Sequence, residues 1–230
     1  MKRSLGLVAA LILSTSLAAV SAGSADAAQA KVLSRTQLRH ALLTVDDLPK
    51  GFKVDHSAAT ESDDVDVSSD DAACQDSLEM VEPARAPGQV SESEADFKRE
   101  RDSGFQFSYE AATVGLTAFR SAAAVRRDFA TSAPQFRACH AIAMDMGDGT
   151  TMSFAVHSKV RRIDGNRTFV LSMHGRYMGI PMNMVMTVSQ SRSYEVATML
   201  MGANKSPAYV TKVNNSLLRA QTAKLAQQLR

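Results

Sequence analysis

Two histidines and an arginine fall in one stretch of the chain in which apolar and polar residues alternate. His157, His174 and Arg176 all occupy polar positions of this stretch. Alternation with a period of two predicts β-strands, and the Asp164-Gly165 pair predicts a tight hairpin turn between them. In that hairpin both histidines lie on one face as diagonal neighbours. The resulting cationic surface would suit an acidic ligand, or it would be the solvated face of an antiparallel sheet.

Methionines occupy the opposite face of the same predicted hairpin. Val156 lies opposite Met173 in the register that the first turn imposes. A second turn at Gly179-Ile180 would pair Met173 with Met186 and place Met184 on the same face. Methionine is flexible and lines irregular apolar surfaces, so Met173, Met184 and Met186 are candidate ligand contacts. An ordinary core beneath covering helices is the alternative explanation for the same residues.

The sequence contains no local motif for catalysis or metal binding. G-x-S-x-G, H-E-x-x-H, C-x-x-C and phosphate-binding glycine loops are all absent. Cys139 precedes His140, but adjacent side chains on a helix or strand point apart, which makes the two a poor nucleophile and base. The paired histidines lack the third and fourth ligands that zinc needs. We therefore expect no enzymatic activity, no catalytic residues, no cofactor and no metal site, with a hydrolase of non-local active site as a remaining alternative.

The first 30 residues have the pattern of a Sec-type secretory signal peptide. Lys2 and Arg3 precede an apolar run, and small residues follow with possible cleavage sites ending at Ala27 and Ala30. Residues 31–230 would then form a single secreted domain. We expect no lipid anchor, because no cysteine lies near the cleavage sites, and no membrane span, because no later stretch is apolar for about 20 residues.

The charge balance argues against nucleic acid as a partner. The chain has 26 basic and 24 acidic side chains, a formal net charge of +2 and 45% hydrophobic residues. This is the composition of an ordinary globular protein and lacks the basic excess of a nucleic-acid-binding domain.

Two cysteines, Cys74 and Cys139, remain in the mature chain. An even number in an exported protein predicts one disulfide. It would close a loop of about 65 residues, worth roughly 4 kcal/mol if it acts through chain entropy. A thiol nucleophile at Cys139 is the competing interpretation.

Helix and strand signals alternate along the chain. Helices are predicted to begin after Ser34, after Ser121 and at Ser206-Pro207. Two strands are expected in 105–119 and three or four in 152–201. Six acidic residues fall within positions 61–71, and we interpret 53–102 as a long, mobile surface loop with a short helix around 73–80. The fold class is therefore α+β: an antiparallel sheet of about five to six strands packed with helices, with one disulfide.

Several of these elements match a known family. The segment Leu42-Leu43-Thr44-Val45-Asp46-Asp47-Leu48-Pro49-Lys50-Gly51-Phe52, the 121–139 helix ending in a cysteine, and the Gly147-Asp148 turn resemble the PknH-like extracellular domain family of actinobacteria. The resemblance implies the outer sensor part of a membrane serine/threonine kinase or a free exported relative. It also implies a sheet and helices around a large cleft for an unknown ligand. Cys74 and Cys139 match the long-range disulfide of that family, whereas a second common bridge has no cysteines here.

The sequence thus predicts a secreted, non-enzymatic ligand-binding or sensor-like domain of the cell envelope or extracellular space. Its partner would be an unknown small molecule or envelope component. A protein–protein interaction module at the envelope without a small-molecule ligand is the alternative, and a hydrolase comes third.

Overall fold

The structure is a computed structural model that describes residues 32–56, 66–79, 86–102, 107–145 and 150–230. The predicted signal peptide and the Gly147-Asp148 turn lie outside the described residues.

One antiparallel sheet dominates the fold, with nine strands in the described part of the chain instead of the five to six expected from the sequence. The strands are β1 Lys53–Val54, β2 Asp66–Ser68, β3 Gln89–Asp102, β4 Phe107–Phe119, β5 Ala141–Asp145, β6 Thr151–Ile163, β7 Asn166–Tyr177, β8 Ile180–Ser191 and β9 Tyr194–Ala203. Their order across the sheet is β1-β3-β4-β9-β8-β7-β6-β5-β2. Short edge strands therefore border a centre of long hairpins.

The helices begin where the sequence indicated. In the described residues they are α1 Arg35–Ala41, α2 Ala72–Glu79, α3 Ala122–Gln135 and α4 Pro207–Gln228, with a one-turn 3₁₀ helix at Val45–Asp47. Ser34, Ser121 and Ser206 each accept a hydrogen bond from a backbone N–H of the first helical turn. These serine caps satisfy amide groups that the helix itself leaves unpaired.

The first predicted hairpin register is confirmed, and the second is wrong by two residues. Val156 pairs with Met173, as the Asp164-Gly165 turn required. The next turn is Met178-Gly179 instead of Gly179-Ile180, so Met173 pairs with Met184 and not with Met186. A shift of two residues keeps every side chain on its predicted face, because strand side chains alternate with a period of two.

The predicted loop over 53–102 contains the longest strand of the sheet. In β3, Ser93 and Arg99 occupy inward positions together with Phe97. Because polar residues lie on both faces of this strand, its sequence lacks the alternation of apolar and polar residues that indicates a half-buried strand. Likewise, residues 107–119 form one continuous strand, not two, and β5 was not predicted at all.

Helices cover both faces of the sheet, and each face carries a large apolar core in the described part of the chain. On one face α1 and α4 pack over a core that includes Leu116, Val185 and Leu200. On the other face α3 packs over a core that includes Phe129, Met173 and the disulfide. Cys74 and Cys139 are bonded, with an S–S distance of 2.07 Å and 4.7 Å between Cα atoms, so the predicted disulfide is confirmed and Cys139 is not a free nucleophile.

Candidate functional site

The predicted cationic surface lies on strands β6 and β7, on the same side of the sheet as α4. We call it the cationic face, and it consists of His157, Lys159, Arg161, His174 and Arg176. His157 and Arg176 are exposed, His174 is half-buried, and the two imidazole centroids are 6.2 Å apart. Helix α4 packs mainly on β8 and β9, and the side chains of His157, Lys159 and Arg176 stay exposed.

Hydrogen bonds hold one histidine of the cationic face in a defined orientation. His174 Nδ1 lies 2.7 Å from Oδ1 of Asn183 on β8. The Nδ2 of Asn183 donates to the backbone carbonyl of Lys205 at 2.7 Å. A carbonyl only accepts, so the amide oxygen of Asn183 must face the ring, and Nδ1 of His174 is the donor. The Nε2 atom of His174 is then the one left to meet a ligand.

Helix α4 forms a wall along one side of the cationic face. Arg161 Nη2 donates to Oδ1 of Asn215 on α4 at 3.1 Å. Arg219, one turn further along the same helix, binds Asp164 Oδ2 through Nε at 2.9 Å. These contacts fix the flank of α4 beside β6, so the face has a floor of strands and a helical side.

The charge of the cationic face is not balanced within its own strands. Neither β6 nor β7 contains an aspartate or glutamate. The hairpin turn between them carries Asp164, which is already bound to Arg219. Such a concentration of one sign attracts anions.

The candidate methionines lie on the opposite side of the sheet and are buried. Met173, Met184 and Met186 are 2%, 4% and 3% exposed and belong to the core beneath α3. The six candidate residues therefore form two groups separated by the sheet, and they cannot contact one ligand together. The core interpretation of the methionines fits their burial.

A small pocket lies between α3 and the sheet. Its cavity volume is only about 10 Å³. Its lining is Phe129, Ser132, Ala133, Phe136, Phe169 and Val188. Typical small-molecule pockets are roughly 300–1,000 Å³, so this space is too small for most ligands.

Sequence reasoning missed a buried pair of carboxyl groups, Asp128 on α3 and Glu195 on β9. They are 6% and 3% exposed and are hydrogen-bonded to each other. Burial raises the pKa of Asp128 to about 7, although the hydrogen bond from Glu195 opposes the shift. Burial and the neighbouring Asp128 charge hold the pKa of Glu195 well above its usual value. The sequence does contain one signal of this burial: Glu195 is two residues before Ala197 and four before Met199, so it lies on the same apolar face of its strand.

The described residues do not bring three potential metal ligands together. All helices in the described part of the chain are too short or too polar to cross a bilayer.

The fold and the site together define a disulfide-bonded α+β domain with an open cationic sheet face. A family model for the PknH-like extracellular domain matches residues 33–220. The chain therefore belongs to the PknH-like extracellular domain family, as the 42–52 segment indicated.

One solved structure supports the same fold. The crystal structure of the extracellular domain of PknH from Mycobacterium tuberculosis matches with a TM-score of 0.55 and 10% identity, covering 84% of this chain and 99% of that one. An uncharacterized protein from Mycobacterium smegmatis reaches a TM-score of 0.37 and 11% identity over 77% of this chain and 92% of that one. No curated protein matches the chain significantly.

Proposed function

We propose that the protein is an extracellular sensor-type domain that binds an anionic ligand at the cationic face. The observation that carries the proposal is the exposure of His157 and Arg176 beside an oriented His174, on two strands without an acidic residue. Membership of the PknH-like extracellular domain family supports a sensor-type function outside the cytoplasm.

The chemistry of the cationic face suits a phosphate or carboxylate group. Arg176 offers a planar fork of N–H donors that can bind two oxygens at once. His174 presents Nε2, and the centroid of the His157 ring lies 6.2 Å from that of His174. Lys159 and Arg161 extend the same charge toward α4. A ligand with one or more anionic groups would therefore lie on β6 and β7 along the flank of α4.

We propose further that the domain binds its ligand without catalysing a reaction. His157 lies opposite Ser172 in the sheet, but among the described residues no hydrogen bond joins them. A serine nucleophile needs a hydrogen-bonded base and a group that orients the base. Neither β6 nor β7 provides a carboxylate for that purpose.

Native mass spectrometry of the protein purified from its host tests the proposal. We expect an additional mass that solvent extraction releases and that contains phosphate or carboxylate groups. Pyrophosphate serves as a second probe, and Arg176→Gln should weaken its binding by about tenfold or more, the loss of one charge-assisted contact.

Arg162→Gln is the matched control. Arg162 is equally a β6–β7 hairpin arginine and is exposed, but it alternates to the other side and donates to the carbonyl of Gly165. A clean protein mass together with no pyrophosphate binding would refute the proposal, and so would equal losses in the two variants.

A further inference from the structure

The tip of the β7–β8 hairpin carries an apolar side chain where a polar residue or glycine is usual. Met178 is 80% exposed, the highest exposure among the large hydrophobic residues described. Met178 and Gly179 both have positive φ, at 49° and 82°. Two-residue hairpin turns of this kind favour asparagine, aspartate or glycine at the first position. The other described non-glycine residues with positive φ are all polar: Asp164, Arg192 and Asn204.

The residues next to the tip form successive layers of different polarity. Tyr177 pairs with Ile180 directly below the turn, and both are half-buried. Arg176 pairs with Pro181 one step further, and both are exposed. From the tip inward, the layers are therefore the apolar Met178, then the pair Tyr177 and Ile180, and then the cationic Arg176.

We propose that this hairpin tip, residues 176–181, docks onto an anionic lipid surface. Met178 enters the acyl region, where a largely exposed apolar side chain gains free energy by leaving water. Tyr177 takes the interfacial level, where its ring is apolar and its hydroxyl is hydrated. Arg176 reaches the negatively charged headgroups, with its aliphatic stem along the apolar layer.

A lipid surface fits the tip better than a protein partner does. A stable protein interface buries about 800 Å² on each side, and one protruding methionine above two half-buried residues presents much less. A bilayer accepts a narrow wedge because it closes around it. Charge complementarity favours anionic lipid, because the charged residue of the 176–181 tip is a cation, Arg176. This docking goes beyond the proposed ligand site, since it depends on Met178 and the turn and not on the histidines, and Arg176 is shared by the two.

Vesicle binding tests the docking with a variant that preserves the turn. Met178→Asn removes the apolar group but places a residue that tolerates positive φ, so the fold should be kept or stabilised. We expect about tenfold weaker partition into vesicles of phosphatidylcholine and phosphatidylglycerol in equal parts. The control is Arg192→Asn, which also places asparagine at a turn residue with positive φ (56°), between β8 and β9. This variant should not change partition. All forms are prepared alike, so the N-terminal apolar segment contributes equally to each.

Tryptophan fluorescence gives a second, direct readout, because the chain contains no tryptophan. Met178→Trp should show blue-shifted emission and quenching by brominated lipids when these vesicles are added, whereas Arg192→Trp should show neither. Unchanged partition of Met178→Asn, a water-exposed tryptophan at the tip, or failure of the wild type to bind would each overturn the docking. A self-association that Met178→Asn abolishes would overturn it in favour of a second copy of the chain. Pyrophosphate binding without vesicle binding would overturn this inference and leave the proposed function standing.

Discussion

At the scale of single residues, a buried arginine explains what the family motif does in the structure. Arg99 is 5% exposed, and its Nη2 binds Glu110 at 2.5 Å. Its Nη1 donates to the carbonyl of Lys50 at 2.9 Å, and its guanidinium lies 4.5 Å from the ring centroid of Phe52. Between these two motif residues Gly51 has a φ of 96°, a conformation that side chains rarely adopt. The motif is thus a turn that encloses a charged side chain.

Replacement of Arg99 should destabilise the protein strongly. Arg99→Met leaves Glu110, which is 1% exposed, with a buried charge and one fewer partner. We expect a loss of about 3 kcal/mol in the free energy of unfolding, measured by urea denaturation. Arg101→Met on the same strand replaces an exposed arginine and should change stability by less than about 0.5 kcal/mol. A similar small effect at both positions would show that the network around Arg99 does not stabilise the fold.

The buried carboxyl pair makes stability depend on pH. In the unfolded chain Asp128 and Glu195 lose their protons near pH 4. In the folded protein burial raises the pKa of both groups, to about 7 for Asp128, so the folded state binds more protons between these values. Stability contributed by the pair is therefore complete below about pH 4 and falls as pH rises toward 7.

Replacement of Glu195 tests that sign. Glu195→Gln cannot ionise, and its amide can donate to the Asp128 carboxylate, so we expect a gain of the order of 2 kcal/mol at pH 8 and little change at pH 4. Urea denaturation at the two pH values provides the measurement. Glu100→Gln, at an exposed position of β3, is the control and should show no such difference. A variant that is less stable than the wild type at pH 8 would contradict the assignment.

At the scale of elements, the disulfide fastens α2 to the chain that follows α3. Cys74 is fully buried in α2, and Cys139 lies between α3 and β5. Helix α2 also contacts the short strand β2, and its Leu78 packs against the core beneath α3. The bridge therefore adds a covalent link to the packing and strand pairing that hold this corner.

Removal of the disulfide should loosen one corner before the rest. In the double variant Cys74→Ala, Cys139→Ala we expect a loss of about 4 kcal/mol in stability, consistent with closure of a long loop. Hydrogen exchange should accelerate in 66–79 and stay slow in α4, because local stability differs between elements. Equal acceleration in both elements would mean that the bridge supports the whole fold and not this corner.

The sequence predicted elements well where one local signal was sufficient. The Asp164-Gly165 turn fixed the β6–β7 register, and serine caps fixed the helix starts. The second hairpin was misplaced because Met178 occupies a turn position that favours other residue types. Strand β3 was missed because it has polar residues at inward positions. Arg99 is tolerated at one of them because Glu110 of the neighbouring strand β4 binds it.

The candidate site was predicted in part for a related reason. Alternation alone places His157 and His174 on one face and Met173 on the other. How deeply each face is buried depends on where α3 and α4 dock, which local periodicity does not contain. The contact between Asp128 and Glu195 also arises only when α3 meets the sheet.

At the scale of the whole molecule, β6 and β7 belong to two different environments. Even-numbered residues of β6, such as Val156, point into the core that contains the disulfide. Odd-numbered residues of β6, such as His157, lie on the cationic face. The core beneath α3 thus supports the proposed binding surface from behind. Ligand recognition on one side and covalent stabilisation on the other share the same two strands.

Among the described residues, the short edge strand β1 pairs with only part of the outer edge of β3. Phe97 and Lys98 of β3 pair with β1, and the N–H of Asp55 donates to the carbonyl of Asp96 at 2.9 Å. A long open edge with apolar side chains would invite other sheets to add to it and form aggregates. Strand β3 is rich in acidic and basic residues, among them the exposed Glu92 and Glu100. The polar composition that concealed this strand in the sequence is therefore a safeguard against polymerisation of the folded protein.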